Sequence, residues 1–445
     1  MRQFLLACIA VLCFSSSQAG RAQVMLGAYL PGDGWDVDEI VRFNKASAKP
    51  LSFVTLFTAF SHNWERQLTV QATNIYSHGA IPLVSLMPVD MSDPERNLLP
   101  EIASGRWDAY LNEWIAGLLQ WVASYPASQR PMIMMRFAHE FNGDWYPYSG
   151  TPSEYVDAWQ HVHRLFQRAG ANNFVEWVWN ANHISYDEHD DITRYYPGDS
   201  FVDWTSLDGY NWGTNHDWTE WDSFDQIFAA AYDTLITNYP DKPILIAEFG
   251  SAEPDDLPSR DWMQYGNNLD RQEDRGQWFI EMLDSIKRHY PAIRGLGLFS
   301  HNKELSWSMT GASSTGMAEY NRGIASDYFT PNFLCTRVMP QESNSRILEQ
   351  YSRNVTADSP AINRVDARER PSILPLANRG ATVVLRRQQI RPDVFAHAVS
   401  SRRPPGKEVK QAAVKSRNYR ARVRSMSRGD RTRLAKKQLQ VLDYQ

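Results

Sequence analysis

Residues 131–150 read "PMIMMRFAHEFNGDWYPYSG", and the way this stretch divides decides the fold. Pro131 to Ala138 is an apolar run broken only by Arg136, and His139, Glu140, Asn142, Asp144 and Trp145 follow within seven residues. A continuous apolar run, rather than an alternating one, is what a parallel strand covered on both faces requires. A carboxyl and an imidazole beyond such a strand, with aromatics next to them, place chemistry at its C-terminal end.

Seven further strand-like runs, most of them continuous apolar segments, extend the pattern on both sides. They are "VMLGAYL" from Val24, "LSFVTLF" from Leu51, "AIPLVSLM" from Ala80, "FVEWVWN" from Phe174, "DWTSLDGY" from Asp203, "PILIAEF" from Pro243 and "IRGLGLF" from Ile293. Amphipathic stretches lie between them, among them "WDAYLNEWIAGLLQWVASY", "SEYVDAWQHVHRLFQRAG" and "QWFIEMLDSIKRHY". The second opens on Pro152-Ser153 and closes at Gly170, a suitable helix start and stop. Eight strands with intervening helices predict an α/β fold of the (β/α)8 TIM-barrel kind. The alternative, a doubly wound sheet, lacks a glycine-rich turn after its first strand.

Charge and composition divide the 445 residues. All 16 Trp lie between Trp35 and Trp307. From residue 336 onward 24 Lys and Arg face 9 Asp and Glu, a formal +15; residues 1–335 carry 22 against 42, a formal −20. The expected organisation is a secretory signal over 1–22, a catalytic barrel over 23–335 and a basic, low-order tail over 336–445. The signal is read from Arg2, "FLLACIAVLCF" and "SSSQAG", with cleavage after Ala19 or Ala22, which predicts a secreted or periplasmic protein. Cys8 and Cys13 leave with it, so Cys335 alone remains and no internal disulfide is expected. No other segment reads as membrane-spanning. The tail has three readings: a solvated linker, an arm for an anionic polymer, or an anchor to an anionic envelope.

Barrel enzymes carry their chemistry at the C-terminal ends of the strands. Strand four ends at His139-Glu140, strand six at Asp208-Gly209-Tyr210-Asn211-Trp212, and strand seven at Glu248-Phe249-Gly250. Two carboxyls on strands four and seven face each other across the mouth, the pair that glycoside hydrolysis uses. Either Glu alone could be a helix cap or a surface residue; "HEFNG" and "IAEFG" on the two expected strands make a pair. His139 alone is more often structural, and beside Glu140 it reads as a hydrogen-bonding partner. Trp145 in an exposed loop reads as a platform for a sugar ring. Asn142, Tyr210 and Trp212 complete the candidate substrate-binding set, with a polysaccharide as the expected partner. His161 and His163, two apart on a helix, point to different faces and are no metal pair. "HISYDEHDD" has a composition that could hold Ca²⁺, but reads as a solvated acidic loop. Neither a phosphate loop nor a G-x-S-x-G elbow is present, and no cofactor, metal or specific nucleic acid is expected.

"FAHEFNGDWYP", "YYPGDSFVDWTSLDGYNWG" and "KPILIAEFGSAE", in that order, resemble glycoside hydrolase family 26, the retaining β-mannanases and related β-glycanases. The resemblance covers roughly residues 24–330 and implies a (β/α)8 barrel of the larger clan. It implies that Glu140 is the general acid/base and Glu248 the nucleophile. It also implies that Tyr210 hydrogen-bonds the nucleophile and that Trp145 floors the subsite beside the scissile bond. Leu298 stands where a Trp is expected at the end of strand eight, Tyr148 where a Trp is common, and Arg136-Phe137-Ala138 where mannanases often carry Arg-Pro-Leu. The substrate therefore stays open between β-1,4-mannan, mixed-linkage β-1,3-1,4-glucan and a bacterial exopolysaccharide. Outside that class stand a catalytically weak carbohydrate-binding barrel and an assembly role in polysaccharide export.

Overall fold

The structure, a computed structural model, describes residues 23–62, 64–149, 151–184, 191–214, 219–254, 270, 272–311, 314–335 and 388–389. The signal segment, most of "HISYDEHDD" and nearly all of the basic tail lie outside the described residues.

Each of the eight apolar runs forms a strand. They are β1 (Val24–Tyr29), β2 (Phe53–Ala59), β3 (Ile81–Met87), β4 (Ile133–Phe137), β5 (Val175–Asn182), β6 (Trp204–Asn211), β7 (Ile244–Ser251) and β8 (Ile293–Phe299). Helices α1 (Val37–Ala46), α2 (Thr69–Ser77), α3 (Leu99–Ala103), α4 (Asp108–Ala123), α5 (Pro152–Arg168), α6 (Phe224–Asn238), α7 (Arg275–His289) and α8 (Met317–Ile324) run between and after them. All pairs are parallel, in the order β2 to β8 and then β1, and β1 also pairs with β2. The sheet therefore closes into an eight-stranded barrel. A short β9 (Phe329–Thr330) pairs with the start of β1. Beyond it β10 (Leu334–Cys335) pairs with β11 (Gln388–Gln389). No helix among the described residues is long and apolar enough to cross a membrane.

The three amphipathic stretches bury the faces their periodicity marks out. In α5, Tyr155, Ala158, Trp159, Val162, Leu165 and Phe166 are buried, the i, i+3, i+4, i+7 stripe of a helix lying on a sheet. Pro152 opens this helix and Arg168 stands in its last turn, where a cation complements the helix dipole.

Inside the barrel the side chains change character with height. Met25, Phe53, Ile81, Leu83, Met132, Met134, Val178, Trp204 and Leu245 form an apolar plug toward the N-terminal ends of the strands. Phe53 needs space that β1 supplies at Gly27, where a Cβ would approach the Phe53 ring to 2.2 Å. Two residues further along several strands the inward positions turn polar: Ser85, Arg136, Asn180 and Ser206 are all buried there. Strand alternation thus carries the chain from an apolar base to a polar floor beneath the mouth.

Candidate active site

β4 ends at Phe137, three residues before Glu140, and the intervening turn is unusual. Ala138 has φ 46° and Glu140 φ 54°, left-handed values that side chains other than glycine rarely adopt. Two backbone bonds hold the turn in place. Ala138 N–H donates to Leu86 O on the β3 side (3.0 Å), and Glu140 N–H donates to Asn180 O on β5 (2.9 Å). Strain kept by the surrounding sheet, and not by local preference, is a mark of positions that serve a site. Here it brings His139 and Glu140 together onto one cavity.

Glu140 is 4% exposed and bonded at both oxygens by neutral donors. Asn182 Nδ2 donates to Oε1 (2.8 Å) and Trp145 Nε1 to Oε2 (2.9 Å). Burial, then the charge of Glu248, push its pKa up to about 7; those two donors and Arg136 offset only part of the rise. The group can therefore hold a proton near neutral pH.

Glu248 reaches the same cavity through an irregularity in β7. Leu245 and Ala247 belong to the apolar plug, so simple alternation would turn Glu248 outward. The register with β6 shifts between Leu207 and Asp208, pairing Ile246 with Leu207 but Glu248 with Asp208. That extra residue returns Glu248 to the lumen. There Arg136 Nη2 donates to its Oε1 (2.5 Å) and Tyr210 O–H to its Oε2 (2.6 Å).

Arg136 organises the floor. Fully buried, it donates from Nε to Ser85 Oγ (2.8 Å), and from Nη1 to Asn180 Oδ1 (3.2 Å) and Asp208 Oδ2 (2.9 Å). Burial opposes its charge, but the carboxylates of Asp208 and Glu248 outweigh burial and keep it protonated. Burial, then Glu248, push the Asp208 carboxyl up, against the pull of Arg136. The sequence supplies one signal for Arg136: a cation at an inward position of an apolar strand requires a buried carboxylate. Its role and that of Asp208 were not read from the sequence alone.

The cavity above this floor opens to solvent. His139, Glu140, Tyr210, Trp212 and Glu248 line it. His139 Nε2 lies 3.0 Å from the Tyr146 hydroxyl, and burial, with Arg136 and Lys303 nearby, lowers its pKa well below the usual value. The imidazole is thus a neutral partner. Trp145 sits in no exposed loop: it is 4% exposed, it bonds Glu140, and it is absent from the lining. Asn142 is likewise away from the lining. Its amide donates to Asn182 O and Ile184 O and accepts from Asn182 N–H, tying the β4 turn to the end of β5. Lining residues that sequence reasoning missed include Phe57, Tyr146, Phe299, Lys303, Glu304 and Trp307. Leu298 is buried in the core, and the tryptophan at this side of the site is instead Trp307, in the loop after β8. Its ring packs 5.1 Å from Tyr210 and 5.2 Å from Trp212.

The profile of glycosyl hydrolase family 26 matches residues 91–279, a span that includes both Glu140 and Glu248. Endoglucanase H of Acetivibrio thermocellus is 30% identical over 333 residues, covering 73% of this chain and 33% of that protein. Mannan endo-1,4-beta-mannosidase A and B of Caldalkalibacillus mannanilyticus is 26% identical over 166 residues, 35% of this chain and 29% of that protein. The chain thus spans about a third of the length of these curated relatives. Among solved structures, GH26C from a Muricauda species superposes with a TM-score of 0.51 at 14% identity, covering 70% of this chain and 87% of that one, a likeness of fold. The motifs, the closed barrel and the profile over residues 91–279 together support assignment of the chain to glycoside hydrolase family 26.

Proposed function

We propose that the protein is an exported endo-β-glycanase that cleaves internal bonds of mixed-linkage β-1,3-1,4-glucan or β-1,4-mannan with retention of configuration. The observation that carries this reading is the contrast between two carboxyls on one cavity. Glu140 has neutral donors and a pKa raised to about 7, whereas Glu248 is ion-paired with Arg136 and bonded by Tyr210. One is suited to deliver a proton and the other to attack carbon. Endoglucanase H, the longer of the two curated matches, favours a glucan as the first substrate to try.

In the first step Glu248 attacks the anomeric carbon, the bond to the leaving sugar oxygen breaks, and Glu140 gives that oxygen its proton. In the second step water attacks the glycosyl-enzyme, Glu140 takes the water proton, and Glu248 departs. Arg136 and Tyr210, one on each oxygen, orient the Glu248 carboxylate throughout. His139, neutral and bonded to Tyr146, is placed to offer a hydrogen bond to the sugar. Export rests on the N-terminal pattern, and a mature chain beginning after Ala19 or Ala22 in medium or periplasm is the expected product.

The test is a reducing-sugar assay of the full chain on mixed-linkage glucan, mannan, xylan and native exopolysaccharides, with product anomers followed by NMR. New reducing ends of β configuration from glucan or mannan are expected. Absence of turnover on all of them, or an inverted first product, defeats the proposal.

A further inference from the structure

The loop between β1 and α1 carries an aromatic that the catalytic reading does not use. Among the described residues the exposed large hydrophobics are Trp35, at 42%, and Val70, at 44%. Single exposed apolar side chains are ordinary on a protein surface. These two, however, sit beside one junction. Trp35 follows β1, Val70 lies in the first turn of α2 after β2, and both are therefore on the barrel face that holds the site. Gln71 Nε2 donates to Asp33 O (2.8 Å) and Asn74 Nδ2 donates to Gly34 O (3.0 Å), binding the two elements together.

The loop is also built to one shape. Gly32, Asp33 and Gly34 have φ of 80°, 46° and 82°, and Trp35 N–H closes the turn onto Gly32 O (2.6 Å). A Cβ on Gly34 would come within 2.9 Å of Ile75 Cδ1, so the backbone lies directly on α2. The Asp33 carboxyl is bonded by the Tyr29 hydroxyl. Three successive left-handed residues, the middle one not glycine, hold an indole in solvent where burial would be favourable.

The base of this loop, at the end of β1, borders the cavity. The Tyr29 ring stacks on Phe299, a lining residue, at 4.7 Å and meets His301 edge-on at 5.9 Å. Glu39, in the first turn of α1, acts electrostatically on His301, and Lys303 and Glu304 just beyond line the cavity. The strand end that carries the Trp35 loop therefore packs against the cavity lining.

We infer that Trp35, with Val70 on the neighbouring helix α2, is a distal sugar-binding platform for the same neutral β-glycan that reaches Glu140 and Glu248. This rests on the glycanase reading. A β-linked pyranose with equatorial substituents presents C–H bonds on its ring faces, and an indole face is the complementary apolar, electron-rich surface. A preformed loop loses little conformational freedom when it binds.

The test compares the full chain with Trp35→Ala and Val70→Ser on mixed-linkage glucan and on a hexasaccharide and a trisaccharide from it, with the mannan series in parallel. Trp35→Ala should lower kcat/KM on polymer and hexasaccharide by roughly tenfold through KM, and leave the trisaccharide within about twofold. Val70→Ser should act in the same direction, more weakly, with melting temperatures unchanged. Equal effects on hexasaccharide and trisaccharide, or none on either, would overturn the platform while leaving the glycanase reading intact. Sedimentation that shows Trp35→Ala dissociating a dimer would overturn it in favour of a contact between copies of this chain. A wild-type chain that cleaves no member of either series would overturn both readings.

Discussion

At the scale of the residue, Glu140 and Glu248 differ in their company. Glu140 takes hydrogen bonds from the Asn182 amide and the Trp145 indole, Glu248 from a guanidinium and a phenol. Glu248→Ala should abolish turnover on every substrate. Glu140→Ala should lose about 10²–10⁴-fold on polysaccharide yet keep turnover of activated aryl glycosides, which need little protonation. Azide should restore Glu140→Ala and yield a β-glycosyl azide; the reverse pattern between the two variants would exchange their roles. Because Glu140 must be protonated to act, activity should fall as pH rises through about 7. The Trp145 bond lowers that pKa, so Trp145→Phe should move the alkaline limb of the pH–rate profile to higher pH. An unmoved or lowered limb would detach Trp145 from proton control. The same group ties stability to pH with a definite sign. Folded Glu140 binds its proton more tightly than the unfolded chain does. Its stabilisation is therefore complete below the ordinary glutamate pKa and is lost as pH rises through about 7. Glu140→Gln should flatten the melting temperature across that window, as calorimetry would show.

At the scale of the element, the strands were legible because parallel strands buried on both faces read as continuous apolar runs, and most of the eight did. The ends of β4, β6 and β7 were legible too, since Glu140, Tyr210 and Glu248 sit at polar breaks in those runs. What escaped was whatever depends on which strand lies beside which. Arg136 reads as a lone cation until β4, β6 and β7 bring Asp208 and Glu248 to it. Trp145 reads as an exposed platform until its turn folds it onto Glu140. Trp307 lies in a loop with no periodicity to announce it, and the structure explains its placement. Arg275, at the start of α7, is fully buried and donates to Trp307 O (2.7 Å) and to Glu253 Oε1 (2.6 Å). Glu253 in turn accepts from Thr315 N–H (2.8 Å) and Thr315 O–H (2.6 Å), fastening the loop after β8 at two points. Glu253→Ala should therefore cost about 3–5 kcal/mol in chemical denaturation, since it removes the carboxylate paired with a buried guanidinium. It should also raise KM, because Trp307 backs Tyr210 and Trp212. A loss of stability without any change in KM would show that the clamp serves the fold alone.

At the scale of the whole molecule, the charge asymmetry sets an expectation that the barrel does not. Residues 336–445 carry a formal +15 and residues 1–335 a formal −20. The two parts can attract one another, or the basic part can reach an anionic polymer. Either attraction, between solvated charges, fades beyond roughly 8 Å at physiological salt. The barrel closes through β1 pairing with both β2 and β8, and β9 completes its lower edge by Thr330. Each residue lining the cavity likewise precedes the tail. The described link between the two parts is the two-residue pairing of β10 with β11, too short to support the core. Truncation after residue 335 should therefore leave the barrel folded and its turnover on a neutral soluble glucan within about twofold, because the transition-state contacts stay in place. The same truncation should weaken retention on anionic envelope material at low ionic strength, and added salt should abolish the difference between the two forms. Co-sedimentation at two salt concentrations, run beside the turnover assay, separates these effects. A truncated chain that fails to fold, or that loses most of its turnover on the neutral glucan, would make the tail part of the catalytic unit. Equal retention of both forms at low salt would remove any tethering role from its charge.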